Sequence, residues 1–136
     1  MQETHAWDDR LTVGDEAIDR EHHLQFALVG ALAEALEQGR PWVARRVAEQ
    51  LAGYTTAHFA GEELLMEAAR YPSLAEHRQE HQNLLALLRE MRSLLDGGER
   101  ELATVMALDL RTELGAHMAA SDRRFAELAQ KPRDVQ

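Results

Sequence analysis

Residues 51–88, LAGYTTAHFAGEELLMEAARYPSLAEHRQEHQNLLALL, carry two histidine-bearing helical segments on either side of one break. Two segments free of proline flank Tyr71-Pro72. The residue before a proline is pushed out of the α region, so a helix breaks there. His58 and Glu62 are four residues apart on one side of the break, as are His77 and His81 on the other. Four residues make about one turn, so each pair projects from one helix face. His58 stands in the frame of Tyr54, Leu51 and Val47, and His81 in that of Leu84, Leu85 and Leu88. Both polar pairs therefore share the stripe that the apolar residues mark as facing a core. Imidazoles and a carboxylate buried without partners cost several kcal/mol, and a bound metal ion is the simplest compensation.

On the N-terminal side, residues 19–38 carry Leu24, Leu28, Leu32, Ala35 and Leu36 at helical spacing. Gly39 ends this run, and Pro41 suits the first position of a second helix that extends to Arg70. Ser73 followed by Glu76 has the form of a capping box opening a third helix. That helix carries Leu84, Leu85, Leu88, Met91 and Leu95 and stops at Asp96-Gly97-Gly98. A fourth runs from Glu99 to Leu128, and no window alternates as a strand does. Short joints make sequential helices antiparallel, so the fold class is all-α: an antiparallel up-down-up-down four-helix bundle. Residues 1–18 form an N-terminal arm, with Trp7 and Ile18 as anchors. The bundle occupies 19–130, and 131–136 is a C-terminal tail.

Composition bounds the function. A chain of 136 residues with 45% hydrophobic residues has the size and content of one globular domain. It has no cysteine, which excludes disulfides, thiolate metal sites and cysteine nucleophiles. A net charge of −9 opposes nucleic acid and anionic membrane as partners. MQETHAWDDR has no basic stretch followed by an apolar run, and no apolar run approaches a membrane span. A soluble cytoplasmic protein is expected.

The seven histidines are His5, His22, His23, His58, His77, His81 and His117. Counted from the joint at 39–40, His22 and His58 are each about 18 residues away and so nearly level in adjacent helices. From Tyr71-Pro72, Glu62 and His81 are level, and His77 is about one turn nearer the break. Counted from 97–98, His117 falls beside His77. Two tiers of imidazole result, with Glu62 between them. The same counting places Asp122 too far toward the end of the bundle to join them.

These residues resemble the hemerythrin family, in particular its single-domain bacterial members. The resemblance runs through Trp7, Val13-Gly14, Ile18-Asp19-x-x-His22, His58-Phe59-x-x-Glu62-Glu63-x-x-Met66, Tyr71-Pro72, His77-x-x-x-His81 and His117-x-x-x-x-Asp122, and so spans the chain. It implies that His77, His81 and His117 hold one iron and that His22 and His58 hold the other. Glu62 and Asp122 would bridge the two, together with an oxo or hydroxo group. His5 and His23 match no ligand position and read as surface residues. With six positions per iron, the first is filled and the second keeps one open. The implied function is reversible dioxygen binding for carriage, storage or delivery, rather than enzymatic catalysis. A sensor of O2, NO or redox state, or an iron store, would use the same site.

Rival chemistries account for fewer residues. Ferritin-like di-iron oxidases carry Glu-x-x-His motifs, which are absent here. His77-Arg78-Gln79-Glu80-His81 has the form of an inverted zinc-protease motif, but that leaves His22, His58 and Glu62 unused. A purely structural zinc is the plainest alternative.

Phe59, Leu114 and Met118 supply an apolar lining for a ligand pocket. Gln25, three residues after His22, and Glu113, four before His117, stand where the family carries apolar side chains. Helical spacing directs both toward the core. His117 and Asp122 lie about 140° apart on a regular α-helix, and this predicts a π-bulge between them.

Overall fold

The structure, a computed structural model, describes residues 11–130. Trp7, His5 and the tail 131–136 lie outside the described residues. Helix α1 spans Glu16–Glu37, α2 Pro41–Ala68 and α3 Leu74–Asp96. The last rod joins α4 (Arg100–His117), a π-helical turn (Met118–Asp122) and α5 (Arg123–Gln130). Each of α1 and α3 packs against α2 and α4, which gives the expected four-helix bundle. Among the described residues no helix is long and apolar enough to cross a membrane.

Local chemistry sets the helix ends. Asp15 caps α1 by accepting the Ile18 N–H at 3.0 Å, so this helix begins at Glu16, inside the segment expected to be arm. Asp19 accepts the N–H groups of Val13 and Gly14 at 2.8 and 3.2 Å and folds the arm back. Ile18 is only half-buried; Leu11 and Val13 are the buried anchors. Three helices end in the same device, a left-handed residue whose successor's N–H reaches back to a carbonyl five residues earlier: Arg40 to Ala35, Tyr71 to Met66 and Glu99 to Leu94. The left-handed residues are Gly39, Arg70 and Gly98. The capping box expected at Ser73 and Glu76 does not form. The turn after Tyr71 holds Ser73 at φ −99°, ψ 23°, out of the extended conformation that a cap needs, and its side chain makes no cap bond.

The core divides in two. A large apolar cluster includes Val29, Leu32, Leu36, Ala44, Ala48, Leu51, Leu88, Met91, Ala103 and Leu110. A small one, Met66, Tyr71 and Phe125, closes the opposite end. The buried face of α1 is rotated from the expected stripe. Leu24 is exposed and Leu28 half-buried, because His22, Gln25 and Val29 take the inward positions.

Candidate metal centre

Between the two apolar clusters the inward stripe turns polar. His22, His58, Glu62, His77, His81, His117 and Asp122 are all less than 8% exposed. They form two overlapping groups whose ligand-type atoms lie within 4.8 Å of one another: Glu62, His77, His81, His117 and Asp122, and His22, His58 and Glu62. Asp122 belongs despite the axial counting. The π-helical turn follows His117 directly, and a π turn closes over five residues, so His117 and Asp122 come onto one face. The bulge expected from their spacing is present.

Both carboxylates divide their oxygens. Glu62 Oε2 lies 3.1 Å from His58 Nε2 and 3.6 Å from His22 Nε2, while its Oε1 lies 3.1 and 3.6 Å from His81 and His77. Asp122 Oδ2 lies 2.9 Å from His22 Nε2, and its Oδ1 lies 2.9 and 3.0 Å from His77 and His117. The five Nε2 atoms, with Glu62 Oε1 and Asp122 Oδ1, are buried yet form no hydrogen bond. Polar atoms so close yet misaligned for bonding to one another converge on shared points, as ligands of an ion do.

Outward, three imidazoles are held by glutamates. His58 Nδ1 meets Glu21 at 2.6 Å, His81 Nδ1 meets Glu63 at 2.6 Å and His117 Nδ1 meets Glu80 at 2.7 Å. A carboxylate only accepts, so Nδ1 carries the proton and Nε2 keeps its lone pair for a metal. Ser121 steadies Glu80 by donating to it at 2.6 Å. Each glutamate flanks a site residue of its own helix (His22, Glu62 or His81) and reaches a histidine on the next helix. The sequence reading missed these roles. Its available signal was an acidic neighbour beside three of the site residues, turned about 100° toward the adjoining helix. Phe59 stacks on His81 with ring centroids 3.8 Å apart and planes 3° from parallel, which fixes that ring.

Without a cation, protons take its place. Burial alone would lower the His22 and His77 pKa values, but Asp122 and Glu62 outweigh it and raise both to about 9. His58 and His117 are raised as well, against the same burial penalty, by Glu62 and Asp122 respectively. Burial opposes ionisation of Glu62 and Asp122, yet their histidine contacts hold both below the usual carboxylate range.

The pocket residues sort unevenly. Phe59, Leu114 and Met118 are buried in the large apolar cluster as expected. Gln25 is fully buried. Glu113 is not: it is exposed and lines a cleft of about 260 Å³ with Glu80, Asn83 and His117. The inward stripe of α4 runs through Leu110, Leu114 and His117, and Glu113 lies beyond its edge in the groove between α3 and α4. His23 is exposed, as a surface residue should be.

The profile of the hemerythrin HHE cation binding domain matches residues 13–129. A bacteriohemerythrin of Ralstonia nicotianae is 35% identical over 95% of this chain and 92% of its own length. One from Stenotrophomonas maltophilia is 31% identical over 90% of this chain and 79% of its own. Myohemerythrin-1 of Phascolopsis gouldii is 30% identical over 76% of this chain and 82% of its own.

Proposed function

This chain belongs to the hemerythrin family, and from that premise we propose that it holds two iron ions and binds dioxygen reversibly at one of them. His77, His81 and His117 would hold one ion and His22 and His58 the other, with Glu62 and Asp122 shared between the two and an oxo or hydroxo group completing the set. The observation that carries this reading is the division of both carboxylates, each of which offers one oxygen to each histidine group. Imidazole and carboxylate together suit iron, with zinc, manganese or copper also possible by ligand type, and membership of the hemerythrin family favours iron among them. The pair would supply dioxygen with two electrons and one open position, on the two-histidine side.

The chain's own residues set the terms of binding. Glu21, Glu63 and Glu80 fix the tautomer and orientation of three imidazoles and raise their basicity. Phe59, Leu114 and Met118 keep water from the open position, which slows loss of the bound gas by protonation. On this reading it is a binding protein of the cytoplasm, not an enzyme, and its partner is a small gas rather than nucleic acid or membrane. A second reading, a sensor of O2, NO or redox state, draws on the same ligands. Buried Gln25 favours it, because a polar group beside the open position makes a poorer store for a gas. Iron storage has no such observation behind it.

The test is an optical spectrum of the iron-loaded protein, deoxygenated and then exposed to air, with iron counted per chain. Two irons and a visible band that appears with oxygen and vanishes on its removal are expected. A single iron, or a band that never reverses, would remove the carrier reading.

A further inference from the structure

One buried polar pair beside the centre belongs neither to the metal-binding set nor to its glutamate partners. Gln25 Nε2 donates to Thr55 Oγ1 at 3.1 Å, and both residues are buried. Gln25 Oε1 is buried as well and has no partner. The oxygen and nitrogen of a carboxamide exchange places on rotation. In either placement Thr55 engages one head and the other is left unpaired inside the protein. A buried, unpaired amide head is costly, and its persistence calls for a partner.

The placement of the pair indicates that partner. Gln25 follows His22 by three residues on α1, and Thr55 precedes His58 by three on α2. The helices run antiparallel, so Gln25 and Thr55 form the next layer, about 4.5 Å from the His22–His58 layer on the side of the large apolar cluster. Side chains lean toward the N-terminus of their helix, which carries the long Gln25 side chain back toward His22. His22 and His58 meet edge to face at 5.4 Å. The apolar cluster on this side includes Phe59, Leu114 and Met118, and none of these can serve the free head.

We propose that Gln25, oriented by Thr55, determines ligand specificity at the two-histidine position. With the amide turned so that Oε1 accepts from the Thr55 hydroxyl, its free Nε2 donates to a small polar ligand bound there, so this chain holds an anion of the size and charge of azide more tightly than an apolar lining would. The inference rests on the reading that the two-histidine ion keeps an open position.

Azide is the probe, titrated into the oxidised, iron-loaded protein and followed by its visible absorption and by the infrared stretch of the bound ion. Gln25→Met keeps length and volume but removes the amide. It should weaken azide binding about tenfold, a loss of about 1.4 kcal/mol, and shift the infrared stretch. Gln25→Glu should weaken it further, since a carboxylate would face the anion. Unchanged azide affinity and stretch in both variants, with two irons per chain, would overturn the proposal. So would a variant that loses iron while the stretch stays put, because Gln25 would then be supporting His22 rather than the ligand. Fewer than two irons in the natural protein, seen before any azide is added, would overturn the underlying di-iron reading instead.

Discussion

The two ends of the bundle are built on opposite terms. At the end closed by the joints around Gly39 and Gly98, the inward stripe is apolar: Val29, Leu32, Leu36, Leu88, Met91 and Leu95 pack against Ala44, Ala48, Ala103 and Ala107. Toward the Tyr71 turn the same stripe carries five imidazoles and two carboxylates. Small alanines let the helices close at the first end, and hydrophobic burial holds them there. At the second, only the small cluster of Met66, Tyr71 and Phe125 is apolar, and the five Nε2 atoms beside it have no hydrogen-bond partner, so that layer depends on an ion, or on protons, to offset its burial. The dry end is the scaffold that presents the ligands, and the polar end is what it presents.

A matched pair of truncations should separate the two ends most strongly. Glu62→Ala removes the carboxylate that faces four of the five histidines. Metal content should fall from two per chain to one or none, and any oxygen-dependent absorption should vanish. Leu32→Ala opens a cavity in the dry end, where the side chain is fully buried. It should cost about 3 kcal/mol in denaturant unfolding and leave two metals bound. If Glu62→Ala keeps both metals, or Leu32→Ala loses them, the division of labour is wrong.

The next effect separates the ends by pH. His22 and His77 hold their protons up to about 9 in the metal-free fold, against about 6.5 for an unfolded histidine. Between those values the folded state binds more protons than the unfolded state, so the stability of the metal-free protein falls as pH rises. The loss is on the order of 2–3 kcal/mol for each such histidine. Below the ordinary carboxylate range the sign reverses. Glu62 and Asp122 stay ionised in the fold, and their contribution is lost as pH drops. Metal must displace the histidine protons, so its affinity should climb over the same window in which the metal-free fold weakens. Thermal unfolding of both forms from pH 6.5 to 9 checks this, and parallel curves would contradict it.

The ends also differed in how far they could be read from the sequence. Leu84, Leu88, Met91 and Leu95 repeat at helical spacing, and burial follows that period directly. The pairs His58–Glu62 and His77–His81 were legible for the same reason. Asp122 resisted, because regular helix geometry turns it away from His117 and only a π turn returns it. Its misfit spacing was nonetheless the sign of that turn. Glu113 was misplaced because a residue four before a ligand can fall on either side of a stripe's edge, and the neighbouring helix decides which. Glu21, Glu63 and Glu80 went unread because their partners lie across helices, where spacing along one helix carries no information.

The smallest effect lies in how the ends are closed. All three helix-terminating turns require a left-handed residue, and the joints at the dry end supply Gly39 and Gly98 there, whereas the joint at the site end uses Arg70 at φ 55°. A side chain costs about 1–2 kcal/mol in that conformation, while glycine loses roughly 0.5–1 kcal/mol more backbone entropy on folding. Arg70→Gly should therefore stabilise the protein by about 0.5 kcal/mol, raising the melting temperature by about 1–2 °C. Gly98→Ala is the converse. A Cβ at position 98 would meet nothing within 4 Å, so its cost is backbone strain alone, about 1 kcal/mol. If the two substitutions shift the melting temperature in these opposite directions while metal content stays at two, the joints close the bundle independently of the site. If Arg70→Gly instead lowers metal retention, the Arg70 turn is part of what sets His77 against Glu62, and the site end is braced by its own joint as well as by its ions.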